Sequence, residues 1–269
     1  MIIIDRHYFI KSLCVCIIAS FLLWIIYQLL MRIKLGSSID CLFMAQVCVV
    51  LLIAPYLAAY TVHTGFSGTR FSADAASSTT RLLTHNHIFS GKWLSRQLVM
   101  SQGPVLSWVF LSTFVALCVT NLPFTKALQI VGILGIYSVS AGAVGMCGAY
   151  IFRDALFGAE FATLLWCGLI GGAFLLNPLQ RYVDNLQPFI APVLHLNPLM
   201  AVCGIFEGMD IFRKPVLYEL TPVTSYDYRY PNPWYLVGVW QLVIGGCCFV
   251  GTWRVCIYRG YNVQGQQKG

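Results

Sequence analysis

The chain has 269 residues, 58% of them hydrophobic and 10% charged, with a mean hydropathy of +0.73. Soluble domains carry about 25% charged residues; the polar surface here is too small to cover a water-soluble globule, which excludes a soluble enzyme and a disordered chain and leaves a polytopic membrane protein. The net charge of +7 then reads as topology-setting lysine and arginine rather than as a nucleic-acid surface.

A bilayer core about 30 Å thick needs about 20 apolar residues of helix. Five runs reach that length, at 13–31, 41–60, 98–119, 127–151 and 155–176, and a sixth lies at 234–253. In hydrocarbon the backbone must satisfy itself, so these are helical spans and the fold class is all-α. Arg6 and Lys11 precede the first run as in a signal peptide. Arg32 and Lys34 follow it in place of a small-x-small cleavage pattern, so it reads as a retained span. The eleven cysteines make no disulfide framework: ten lie in or beside apolar runs as small hydrophobes, Cys203 alone falls in a long connection, and no CxxC occurs.

Between the second and third spans lies a loop at 62–97, too long for a simple turn. The fourth span carries small residues at helix-packing spacing, Ser138-xxx-Gly142 and Ala141-xxx-Gly145-xxx-Ala149, expected to serve packing within one bundle. Arg153, Glu160 and Arg254 are candidate intramembrane charges. Glu160 lies about 9 Å into the fifth span at 1.5 Å per residue, and an ion pair with Arg153 or Arg254 is the expected arrangement. The external loop at 177–233 contains an apolar stretch, 188–206, broken by Pro188, Pro192 and Pro198. It reads as a re-entrant or interfacial helical hairpin. Tyr218, Tyr226, Tyr228, Tyr230, Trp234 and Tyr235 are expected to form an aromatic collar at the membrane surface.

Charge gives the orientation. Ten basic residues, from Arg6 to Lys268, fall on the side that holds both termini and the 62–97 loop, against Arg32, Lys34 and Lys126 in the short loops opposite. Both ends are therefore expected in the cytoplasm.

Chemical motifs are sparse. No GxxxxGK[ST] is present, so no nucleotide is expected on a P-loop of this chain. Gly65-Phe66-Ser67-Gly68 matches the GxSG of intramembrane serine proteases, but it falls in the polar loop, and none of the five histidines lies in a span to act as its base. His85-Asn86-His87 lacks a third ligand, and no metal site is expected.

The 62–97 loop is the informative segment. Asp74, Thr79, the turn Arg81-Leu82-Leu83-Thr84, then Ile88-Phe89-Ser90-Gly91-Lys92 resemble the coupling segment of type-2 ABC exporter permeases. That segment has an acidic residue, a threonine, a leucine-rich turn ending in threonine, and a Gly-Lys pair opening the third span. His85-Asn86-His87 stands where the family usually has a proline turn. Asn197-Pro198-Leu199 resembles the Asn-Pro of the same family beyond the fifth span.

The resemblance implies a single permease domain over 1–269, with six spans and a cytoplasmic coupling helix between spans two and three. It implies an exporter subunit of the inner (plasma) membrane that alternates its access and does no covalent chemistry. It also implies a separate P-loop ATPase partner, which would hold the ATP and Mg, and a second permease chain. Arg81, Leu82, Leu83, Thr84, Ile88, Phe89, Gly91 and Lys92 would couple to that ATPase. Such a short amphipathic helix can seat in a partner's groove and pass on its motion. The apolar spans carry a few glutamines, Gln28, Gln46, Gln102, Gln129 and Gln241, which suit lipid-linked, glycan, drug-like or cofactor cargoes alike, and the sequence does not name the substrate. The rival expectation is a non-transporting scaffold or assembly factor of a respiratory or cofactor-maturation complex; a polytopic membrane enzyme comes third.

Overall fold

The computed structural model describes residues 6–75, 91–183, 185–206, 209–218, 220–226 and 228–266. Among these the secondary structure is helical throughout. The long helices are α1 (Arg6–Arg32), α2 (Ser38–Ala75), α3 (Gly91–Val119), α4 (Phe124–Phe152), α5 (Ala155–Ile170) and α10 (Tyr235–Gln266). The short ones are α6 (Gly172–Leu179), α7 (Gln187–Leu196), α8 (Met200–Ile205) and α9 (Pro215–Tyr218), with a 3-10 turn at Pro222–Ser225. Five of the described helices are long and apolar enough to cross a bilayer, and six spans result if α5 and α6, bent by 64° at Gly171, count as one. The chain is thus an all-α protein with the make-up of a multi-pass membrane protein.

The helix boundaries follow from local chemistry. α1 stops in a Schellman arrangement: the Lys34 N–H bonds the Met31 carbonyl at 3.1 Å and the Leu35 N–H bonds that of Leu30 at 3.3 Å, with Lys34 left-handed at φ 53°. α2 starts in a capping box, Ser37 Oγ accepting from the Asp40 N–H while Asp40 accepts from the Ser37 N–H at 3.0 Å. Arg153, at φ 57°, makes the turn after α4. Asp154 then caps α5 by accepting from the N–H groups of Leu156 and Phe157 at 2.8 and 3.0 Å.

Two differences from the expected layout concern α2. Its 38 residues span about 57 Å at 1.5 Å each, whereas its apolar part ends at Thr64. The helix therefore runs on for eleven residues, takes in Gly65–Gly68, and shortens the expected 62–97 loop to at most residues 76–90.

Close contacts divide the chain into two units. One comprises Met1–Ile53, Pro104–Ser138 and Leu164–Leu242, the other Ala54–Gly103, Val139–Thr163 and Val243–Gly269. In the first, Phe43, Met44, Trp108, Ile130, Ile133, Leu134, Tyr137 and Trp166 are fully buried, and Phe206 stacks on Phe43 at 5.5 Å. In the second, Ala58 and Val62 of α2, Leu94 and Leu98 of α3, Ala143, Met146 and Tyr150 of α4 and Cys256 of α10 form one buried cluster.

The small residues of α4 serve packing inside this second unit, as expected. A Cβ on Gly145 would lie 2.5 Å from the Pro55 carbonyl oxygen, and one on Gly158 of α5 would lie 2.1 Å from the Ala149 nitrogen. Backbone meets backbone at both places, so no side chain fits.

Candidate functional site

Buried hydrogen bonds gather at the break between α7 and α8. It begins with a backbone shortage. At Gly171 the Phe174 N–H turns to the Gly171 carbonyl at 2.9 Å, which leaves the Ile170 carbonyl without its helical donor. At the second break the Met200 N–H bonds the Asn197 carbonyl at 3.1 Å, which releases Leu196. The Val202 N–H bonds the Leu199 carbonyl at 3.1 Å, which releases Pro198. Three carbonyls are thus set free in an apolar interior, where each would cost several kcal/mol unpaired in the absence of water.

A buried side chain meets each of them. Asn197 Nδ2 donates to the Ile170 carbonyl at 3.0 Å, Gln241 Nε2 of α10 to Leu196 at 2.7 Å, and Tyr137 Oη of α4 to Pro198 at 2.7 Å. Asn197 Oδ1 also accepts from the Leu199 N–H at 3.0 Å, which holds the turn itself. Asn197, Tyr137 and Gln241 are all buried. The α7–α8 hairpin is therefore bonded to the end of α5, to α4 and to α10. The proline-broken stretch is thus two short helices, α7 and α8, separated by a break whose free carbonyls are met by buried side chains.

Three of the span glutamines make hydrogen bonds between helices or to the α7–α8 break. Gln241 holds the hairpin, Gln46 Nε2 donates to Ser112 Oγ of α3 at 3.0 Å, and Gln102 Nε2 donates to the Ala54 carbonyl at 3.3 Å. All three are fully buried and knit helices together.

The segment between α8 and α10 has its own lock. The Asp210 carboxylate accepts from Tyr228 Oη at 2.8 Å to each oxygen and from Tyr230 Oη at 2.6 Å, and Arg213 Nε lies 3.2 Å away. Tyr230 Oη in turn accepts from the Ile211 N–H at 3.1 Å. Burial, and then the hydrogen bond to the Asp210 carboxylate, push the Tyr228 hydroxyl up to about 12 and raise Tyr230 as well. Two members of the expected collar thus turn onto Asp210, while Tyr218 and Tyr235 stay exposed.

Of the expected coupling residues, Arg81, Leu82, Leu83, Thr84, Ile88 and Phe89 lie outside the described residues. Gly91 and Lys92 form the first turn of α3, and a Cβ on Gly91 would lie 3.1 Å from the Trp253 ring. Lys92 is exposed. Glu160, Arg153 and Arg254 are all exposed, and among the described residues Glu160 pairs with neither arginine. Arg153 belongs to the α4–α5 turn rather than to a span. No group of three or more potential metal ligands occurs among the described residues.

No protein-family model, no curated protein and no solved structure matches the chain. The class of protein is therefore given by its own architecture, that of a multi-pass helical membrane protein.

Proposed function

We propose that the chain is the membrane-spanning subunit of an ATP-driven exporter of the type-2 ABC class, sited in the inner (plasma) membrane with both ends in the cytoplasm. The observation that carries this reading is the α7–α8 hairpin between the bent fifth helix and the last span. Its Asn197-Pro198 break is bonded to Tyr137, Gln241 and the Ile170 carbonyl. A hairpin tied to three spanning helices moves when they move, as a translocating bundle requires. The Asn-Pro stands where the resembling family carries it.

A bundle of this kind with no nucleotide site of its own draws its work from a partner. α2 supports such a lever: it continues eleven residues past its apolar part before the segment that carries Leu82, Leu83, Ile88 and Phe89. That segment seats in a groove of a separate P-loop ATPase, which holds ATP and Mg, while a second permease chain completes the pathway.

Co-purification tests this. The wild-type chain, drawn from native membranes, should bring down a P-loop ATPase. Leu83→Asp with Phe89→Asp should insert normally and release it, because carboxylates in an apolar groove cost several kcal/mol, roughly enough to erase micromolar binding. A wild-type chain that brings down no ATPase would replace this reading with the membrane scaffold.

A further inference from the structure

Within the first unit a groove of about 440 Å³ lies between α1, the start of α2 and the end of α3. It is within the size range of ligand sites, about 300–1,000 Å³. Two hydroxyl bonds tie α1 to its neighbours along it: Trp108 Nε1 donates to Ser20 Oγ at 3.2 Å deep in the groove, and Tyr27 Oη and Ser38 Oγ lie 2.8 Å apart at its mouth. Between these ties the walls are aliphatic, with Leu23, Leu42, Leu111 and Val115, and no charged side chain lines the groove.

We propose that this groove holds one acyl chain of an anionic membrane phospholipid, its headgroup beside the α1–α2 link. Three features select that occupant. The first is length: Trp108 and Thr120 both line the groove, twelve residues apart on one helix axis and so about 18 Å, and the hydrocarbon of one leaflet is about 15 Å deep. The groove is as long as one leaflet's acyl chain, and an unfilled apolar slot would forfeit its dispersion contacts.

The second is the chemistry of the mouth. The Tyr27–Ser38 pair shares one hydrogen between two oxygens and leaves one to donate. Thr120 Oγ1 already donates to the Ala116 carbonyl at 2.7 Å. An ester carbonyl of the lipid accepts the one hydroxyl hydrogen left at the Tyr27–Ser38 pair.

The third is charge. Arg32 ends α1 just past Tyr27 and Lys34 follows in the short link, both exposed. Asp40, in the first turn of α2, is turned onto the N–H and hydroxyl of Ser37 and keeps its charge, so the link carries two cations against one carboxylate. The site does not depend on the permease reading.

The test uses the full-length chain in vesicles of phosphatidylcholine doped with phosphatidylglycerol that carries a photoactivatable group on its acyl chain. Adducts mapped by peptide mass spectrometry should concentrate on α1 near Leu23 and on α3 between Leu111 and Val115. Phosphatidylcholine with the same group should label those peptides about fivefold to thirtyfold less, the range for one to two uncompensated basic residues at the surface. Val115→Trp and, separately, Leu42→Trp should abolish the adducts on the opposite wall, and Arg32→Gln with Lys34→Gln should equalise the two lipids. Labelling spread evenly over the lipid-facing helices, or equal for both lipids in the wild type, would overturn the proposal, and neither result depends on a variant folding.

Discussion

Tyr137→Phe deletes a single oxygen at the hairpin break. The ring still fills its place, so no cavity opens, and the change isolates one hydrogen bond, Tyr137 Oη to the Pro198 carbonyl at 2.7 Å. A buried carbonyl left unpaired costs about 1–3 kcal/mol. Hydrogen bonds between helices in lipid average about 0.6 kcal/mol and reach about 1.7, because the chain finds other partners when it loosens. The Pro198 carbonyl is released by the break and Tyr137 is fully buried, so the loss should fall near the top of that range, at about 1–2 kcal/mol. Asn197→Leu strips two groups at once, the Ile170 carbonyl and the Leu199 N–H, and should cost about twice as much. Reversible unfolding in mixed micelles of increasing denaturing-detergent fraction measures both. Thiol labelling of Cys203, buried on α8, reports opening of the hairpin itself, and should quicken in step with each loss. Tyr137→Phe within about 0.5 kcal/mol of wild type, the range of a surface substitution, with unchanged Cys203 labelling, would refute the view that the break depends on its side-chain donors.

Four further outcomes follow from the structure. Gly158→Ala forces a Cβ to 2.1 Å from a backbone nitrogen and should destabilise the protein by about 3 kcal/mol, whereas Gly168→Ala, with nothing within 4 Å, should be neutral or gain about 0.5–1 kcal/mol; melting curves of the two decide it. Tyr228 keeps its proton in the folded loop up to about pH 12 while an unfolded tyrosine loses it near 10, so the loop's stability should be full below about pH 10 and fall as pH rises towards 12; tyrosinate absorbance of Tyr228→Phe against wild type would show a transition near 10 if the lock were absent. Glu160→Gln should leave the melting curve unchanged, since Glu160 is exposed and unpaired with Arg153 and Arg254; a clear loss would restore the ion-pair expectation. Reporters fused after Lys92 and at the carboxyl end should read cytoplasm and one after Tyr218 the far side, and a cytoplasmic signal after Tyr218 would sink the six-span orientation.

The spans were legible because a run of about 20 apolar residues has few other fates. The two short helices α7 and α8 were legible too, since Pro188, Pro192 and Pro198 interrupt an apolar stretch that could otherwise cross. The bend at Gly171 was not: it sits inside an unbroken apolar run, and the group that takes up its freed carbonyl, Asn197, lies twenty-seven residues away. The partner of Gln241 was not legible either: a glutamine on an apolar helix looks the same whatever it faces, and its bond to Leu196 depends on a break forty-five residues earlier. Tyr228 and Tyr230 were read as surface aromatics because nothing local announces that Asp210, eighteen and twenty residues earlier, folds back beneath them. Glu160 and Arg153 were paired on helical spacing alone, yet Arg153 has left the helix at φ 57°.

The turn at Arg153-Asp154 bears on how the protein is made. α4 and α5 are joined by two residues, and their backbones touch at Gly148, Ala149 and Gly158, with Asp154 capping the second helix from within the turn. Nothing in that contact waits for a later part of the chain, so the two helices can close on each other as they leave the insertion machinery and enter the lipid as one piece. The segments that complete the hairpin clasp, Asn197 and Gln241, are synthesised afterwards. The order of synthesis thus lets the α4–α5 contact form first, while the bonds to Asn197 and Gln241 must wait for the segments that carry them.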